Sequence, residues 1–255
     1  MKMSNVVIVI VLLGMMLTVS AGAQTESEFD RFEIRILGGW GYYSNEDINK
    51  RYLDDLMIGL GAFDDRVDNG PGYGAELKYY LRPDISVSLG LRYLRSESKV
   101  KHGPDWIYDG FNNPVYQVTQ RSSLITEMVA PELLIHYHKQ RNRFTMFAGG
   151  GVFWYFGEAS LAFSLDYEGN PGFPDWSVSH KYEADNLGIL LNGGVSYALT
   201  SRFSVGGEMG FRYCVPKEMK NSDGDYWEIP TTTGTRNMKL DFTGVYFAGY
   251  TAFHF

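Results

Sequence analysis

Residues 239–255 read K-L-D-F-T-G-V-Y-F-A-G-Y-T-A-F-H-F. From Thr243 on, Val245, Phe247, Gly249, Thr251, Phe253 and Phe255 occupy alternate positions and are apolar, small or aromatic. Tyr246, Ala248, Tyr250, Ala252 and His254 take the offset positions and are also mostly uncharged. A period of two belongs to a strand. At the edge of a soluble sheet so apolar a strand would invite aggregation, because its backbone groups stay unpaired. A barrel removes the edge by pairing the last strand with the first.

Seven earlier segments carry the same period. The first, Phe32 to Tyr43, sets Phe32, Ile34, Ile36, Trp40 and Tyr42 against Glu33 and Arg35. The second, Tyr73 to Leu81, sets its aromatic and aliphatic residues against Glu76 and Lys78. The third starts at Ile85 and the fourth runs past Val129 to Tyr137; Arg92, Glu132 and His136 fall opposite their apolar faces. Pro131 removes a ladder donor from the fourth, so a bulge is expected there. The fifth is Phe144 to Phe156, the sixth Leu187 to Leu199, and the seventh, from Phe203, opposes Glu208 and Arg212 to Val205, Met209 and Phe211. Each approaches the ~9–11 residues that a tilted strand needs to cross hydrocarbon.

Connections alternate strictly. Those at 82–84, 139–143 and 200–202 are short; those at 44–71, 96–121, 157–186 and 215–237 are long. In an up-and-down barrel this sorts every long loop to one end. Strand-like alternation in Val115 to Thr119, Ser160 to Tyr167 and Trp176 to Tyr182 implies strands that run on beyond the membrane as a protruding sheet. In the first loop Ile48, Tyr52, Leu56 and Leu60 recur at helical spacing, which suits a short helix over the barrel mouth.

The N-terminus reads as a secretory signal: Lys2, an apolar run from Val6 to Leu17, and Ala21-Gly22-Ala23. The expected domains are a signal peptide at 1–23 and a barrel at 24–255. One cysteine, Cys214, excludes an internal disulfide framework. Twenty Asp and Glu against ten Lys and Arg in the four long loops make that end acidic and unsuited to nucleic acid.

These strands, sorted loops and terminal aromatic resemble the small outer-membrane barrels of the OmpA transmembrane domain, OmpX and OmpW group. The resemblance implies an all-β, eight-stranded antiparallel up-and-down transmembrane barrel with short periplasmic turns and four long extracellular loops. It implies a bacterial outer-membrane location, contact with outer-membrane lipid and lipopolysaccharide, and recognition by barrel-assembly machinery through the C-terminal strand. Trp40, Tyr79, Tyr93, Tyr137, Trp154, Tyr197, Tyr213 and Phe255 are the expected interface aromatics.

Inside so narrow a barrel, Glu33, Arg35, Glu76, Lys78, Arg92, Glu132, His136, Glu208 and Arg212 are expected to form a lumen charge network, since buried charges need partners. The same residues could instead line a narrow conduit. No cofactor and no metal is expected. Asn221, Asp223, Asp225 and Glu228 match only part of a calcium loop. His136 and His138 are read as facing opposite sides of their strand, so that they share no metal. No nucleophile, base and orienting group can be set together from the sequence, so no catalytic residue is assigned. The expected function is non-enzymatic: an envelope-integrity or surface-binding role that meets an extracellular ligand through the loops. A narrow channel for ions or small apolar solutes is the alternative, and a lipid A-modifying enzyme the second.

Overall fold

The structure is a computed structural model and describes residues 31–50, 66–108, 114–168, 175–231 and 234–255. The signal segment 1–23 and Tyr52, Leu56 and Leu60 of the first loop lie outside the described residues. Eight long strands form a closed antiparallel barrel. They are β1 (Phe32–Tyr43), β2 (Asn69–Arg82), β3 (Ile85–Tyr108), β4 (Pro114–Arg141), β5 (Phe144–Glu168), β6 (Trp176–Ala198), β7 (Phe203–Cys214) and, after four short strands, β12 (Gly244–His254). The short strands are β8 (Lys217–Glu218), β9 (Glu228–Thr231), β10 (Gly234–Asn237) and β11 (Lys239–Leu240). The last long strand closes on the first from Glu33 opposite His254 to Tyr43 opposite Gly244.

Alternation dictates the two faces. Ile36, Leu133, Ile135, Val152, Ile189, Leu191 and Phe247 point outward, each more than 40% exposed. In water this apolar belt would drive association; in hydrocarbon it is the favoured surface. Tyr79, Tyr137, Tyr197 and Phe255 fall near the short-turn end, and Trp40, Tyr93, Trp154 and Tyr213 toward the other end. At the short-turn end Asn142 takes φ 57°, a left-handed geometry that asparagine tolerates better than most residues.

β3 to β6 have 24, 28, 25 and 23 residues, well beyond a hydrocarbon span, so most of the second and third long connections is ordered strand, and Val115–Thr119, Ser160–Tyr167 and Trp176–Tyr182 lie in it as their alternation implies. One detail corrects the sequence reading. Pro131 makes no bulge: Val129 pairs with Phe156 and Glu132 with Phe153, so the spacing on both strands is equal across the proline. The missing donor interrupts the ladder toward β5 without adding a residue, and pairing toward β3 continues through Leu91–Pro131.

Candidate functional site in the barrel lumen

The inward charges sit in two layers, and all nine of the residues expected to face the lumen are buried there. In the layer nearer the short turns, Arg35 pairs with Glu33 two residues along β1. Lys78 Nζ stands 3.8 Å from Glu33 and 3.6 Å from Glu76. Tyr80 donates its hydroxyl proton to Glu33 at 2.5 Å. The Arg35 guanidinium lies over two rings, 4.6 Å from the Phe147 centroid and 4.4 Å from that of Tyr250. Neither Glu76 oxygen nor Lys78 Nζ makes a hydrogen bond, so charge at 3.6 to 3.9 Å, rather than directed bonding, holds this part together.

The second layer is knit more tightly. Arg92 donates through Nε to Glu132 at 2.8 Å and through a terminal nitrogen to Glu208 at 2.7 Å. Arg212 reaches the other oxygen of Glu132 at 3.3 Å, and Tyr246 donates to Glu208 at 3.1 Å. Four strands, β3, β4, β7 and β12, thus meet on two carboxylates. Large rings lie across the neighbouring strand where it carries glycine: Tyr250 is paired with Gly206 and Tyr246 with Gly210. A Cβ added at Gly206 would come 2.4 Å from the Tyr250 ring, and one at Gly210 2.4 Å from that of Tyr246. Small residues beside large ones let the rings lie inward across the lumen.

His136 and His138 are both inside, which corrects the expectation of opposite faces: residues two apart on a strand share a face. Their ring centroids are 6.0 Å apart. Each ring nitrogen Nε2 is engaged, by Asn192 at 3.1 Å and by Ser86 at 2.7 Å respectively. A second correction concerns catalysis. Ser204 Oγ lies 3.0 Å from His254 Nε2, and His254 Nδ1 3.6 Å from Glu33, so the fold does gather a serine, a histidine and an acid. Ser204 is buried, however, and Glu33 is already held by Arg35 and Tyr80.

Beyond the Arg92 layer the interior becomes apolar. Residues from the barrel wall, among them Leu124, Met128 and Tyr155, pack with Ile48 and Val67 of the first long connection and with Trp227, Leu240 and Phe242 of the last. Trp227 stacks on Tyr182, centroids 4.9 Å apart and planes 20° from parallel. Asn45 ties the first connection down by donating to the Val67 carbonyl at 2.8 Å, and Val67 N donates to Asn49 at 2.9 Å. A core of soluble-protein character therefore sits over the ionic lumen. Farther out, a concavity of about 640 Å³ crosses β3 to β6, with Val100, Ser122, Phe163 and Val178 in one cross-strand row of its lining. Asn221, from the partial calcium motif, spends its side-chain oxygen on the N–H groups of Asp223 and Asp225 at 3.0 and 2.8 Å. Among the described residues no group of three or more His, Cys, Asp or Glu side chains is placed to hold a metal.

The family of the outer membrane protein β-barrel domain matches residues 10–227. The chain belongs to that family. It resides in the bacterial outer membrane, and its belt faces the lipid there. Similar solved structures include OprG from Pseudomonas aeruginosa, 15% identical, covering 89% of this chain and 97% of that one at a TM-score of 0.47. Neisserial surface protein A is 9% identical, with 88% and 97% covered and a TM-score of 0.38. The N-terminal β-barrel domain of Pseudomonas aeruginosa OprF is 11% identical, with 89% and 100% covered and a TM-score of 0.33. No curated protein matches the chain. In outer-membrane barrels of this kind the short turns face the periplasm and the long connections the exterior.

Proposed function

We propose that this barrel is a closed, non-enzymatic component of the outer membrane, which stabilises the envelope and meets external partners through its protruding β3–β6 sheet. One observation carries the reading: the apolar core of Met128, Tyr155, Trp227 and Phe242 lies directly over the ionic layers. An ion leaving the Arg92 layer outward would have to shed water into that core, which is costly for any charge. The lumen charges then serve as internal fasteners. The extended sheet supplies exterior surface that a bare membrane anchor does not need. Export by cleavage after Ala23 and recognition of the C-terminal strand by the assembly machinery complete the reading.

Single-channel recording in a planar bilayer tests it. Wild type and Arg92→Ala and Glu132→Ala variants, with folding verified by heat-dependent gel migration, are expected to give no conductance steps. Reproducible steps changed by either substitution would establish a charge-lined path and replace this reading with the channel.

A further inference from the structure

Above the bilayer the outward face of the β3–β6 sheet changes character row by row. The face that meets lipid at Leu91 and Tyr93 of β3 continues upward through Arg95, Glu97, Lys99 and Lys101. Cross-strand pairing makes Arg95, Glu127, Glu158 and Glu183 one row, the first above the belt. Three carboxylates there are offset by Arg95 at 2.6 Å from Glu127 and by Lys181 at 2.7 Å from Glu158. Three rows higher, Lys101 sits opposite Arg121, with Ser164 and Ser177 beside them on β5 and β6.

That upper row is chemically odd. Like charges directly opposite destabilise a sheet. Lys99 adds a third cation on the same face, with Ser123 opposite it and Ala162 and Ser179 following in the same row on β5 and β6. Lys99 and Arg121 are more than 60% exposed. Glu97 contacts Lys99, and Asp166 pairs with Arg121 at 3.0 Å, while no ion pair among the described residues reaches Lys101. A basic, hydroxyl-rich spot has thus formed on a chain whose net charge is −7. Cations there suit a phosphate group, and serine hydroxyls suit the hydroxyls of a sugar.

Position selects the source. This face is continuous with the lipid-facing belt, so in an intact outer membrane it stands among the saccharides of the surrounding lipopolysaccharide, above the acyl chains. We infer that Lys99, Lys101 and Arg121 form a binding site for a phosphate-bearing core sugar of lipopolysaccharide. The inference rests on the reading of the protruding sheet as a partner surface and is independent of whether the lumen conducts.

The test uses the full folded protein in detergent micelles and three probes: lipopolysaccharide with a phosphorylated core, the same material stripped of core phosphate, and lipid A alone. Native mass spectrometry compares wild type with the Lys99→Ser/Lys101→Ser/Arg121→Ser variant and with Lys101→Gln. The triple variant should bind the first probe roughly 30- to 1,000-fold more weakly, at about one order per one to two surface cations lost. Lys101→Gln should lose a few-fold, and the other two probes should not distinguish the proteins. Equal binding of the first probe by all three proteins would overturn the site. So would a wild-type preference for a sulfated polysaccharide over the phosphorylated core, which would assign the patch to an external ligand. Conductance steps would unseat the closed-barrel reading without touching this one.

Discussion

Arg92 and Glu208 are 116 residues apart in the chain, and the Arg92 guanidinium donates to the Glu208 carboxylate at 2.7 Å inside the barrel. The same guanidinium holds Glu132 at 2.8 Å. Removing the cation leaves two buried carboxylates with Arg212 as the remaining guanidinium of the layer. Replacement of Arg92 by Met is therefore expected to destabilise the barrel by about 3–5 kcal/mol, the range for breaking one side of a buried pair. Urea unfolding in micelles measures it. A loss under 1 kcal/mol would mean that Arg212 and Tyr246 carry the layer by themselves.

The seam between first and last strands is fastened at its periplasmic end. Phe32 and Phe255 stack at 5.8 Å with planes 12° apart, and each donates its N–H to the other's carbonyl at 3.0 Å. A double-mutant cycle of Phe32→Ala and Phe255→Ala should return a coupling of about 0.5–1.5 kcal/mol beyond the separate losses. Simple additivity would mean that the rings act only through lipid contact.

Phe242 is fully buried where the last connection plugs the barrel. Truncation to Ala should cost about 3–5 kcal/mol if the extracellular core unfolds with the barrel. The alternative outcome is informative in its own way. Protease cutting confined to the exterior, with the barrel's unfolding midpoint unchanged, would show that core to be a separate cooperative unit.

Glu97 lies on the protruding sheet, outside the membrane. Partial burial opposes its ionisation, but hydrogen bonds from Lys99 and Arg95 outweigh that and hold its carboxyl below the usual range. A depressed folded pKa contributes stability above the unfolded value and loses it as pH falls through the folded one. Carbon-13 titration of Glu97 should thus give a midpoint under the ordinary ~4.3. In Lys99→Ala it should rise toward that value; no movement would assign the depression to Arg95 alone.

The eight strands were legible because each alternates over at least one span of the membrane, and a single inside/outside assignment then fixes every inward charge from Glu33 to Arg212. The outer parts of β4 to β6 showed in the short alternating stretches Val115 to Thr119, Ser160 to Tyr167 and Trp176 to Tyr182, whereas that of β3 did not, since serine and charged residues fill it from Arg95 to Lys101 with Val100 as the one apolar side chain. The apolar plug was hidden for another reason. Met238, Leu240 and Phe242 do alternate, but that period does not say what they cover; only the return of the last connection over the mouth brings them, with Trp227, to Ile48 and Tyr155. Ser204 and His254 come from paired successive long strands, and Glu33 joins them only because the ring closes β1 on β12. The two histidines were within reach of the sequence, because a spacing of two alone puts them on one side.

β1, β2, β7 and β12 stop at 11 to 14 residues while their neighbours run to 23 or more. The rim is consequently not level. One half of the circumference is a tall wall and the other a low sill, so the molecule has a front and a back when viewed down the membrane normal. Neighbours drifting in the plane of the membrane meet strands of different height according to their bearing.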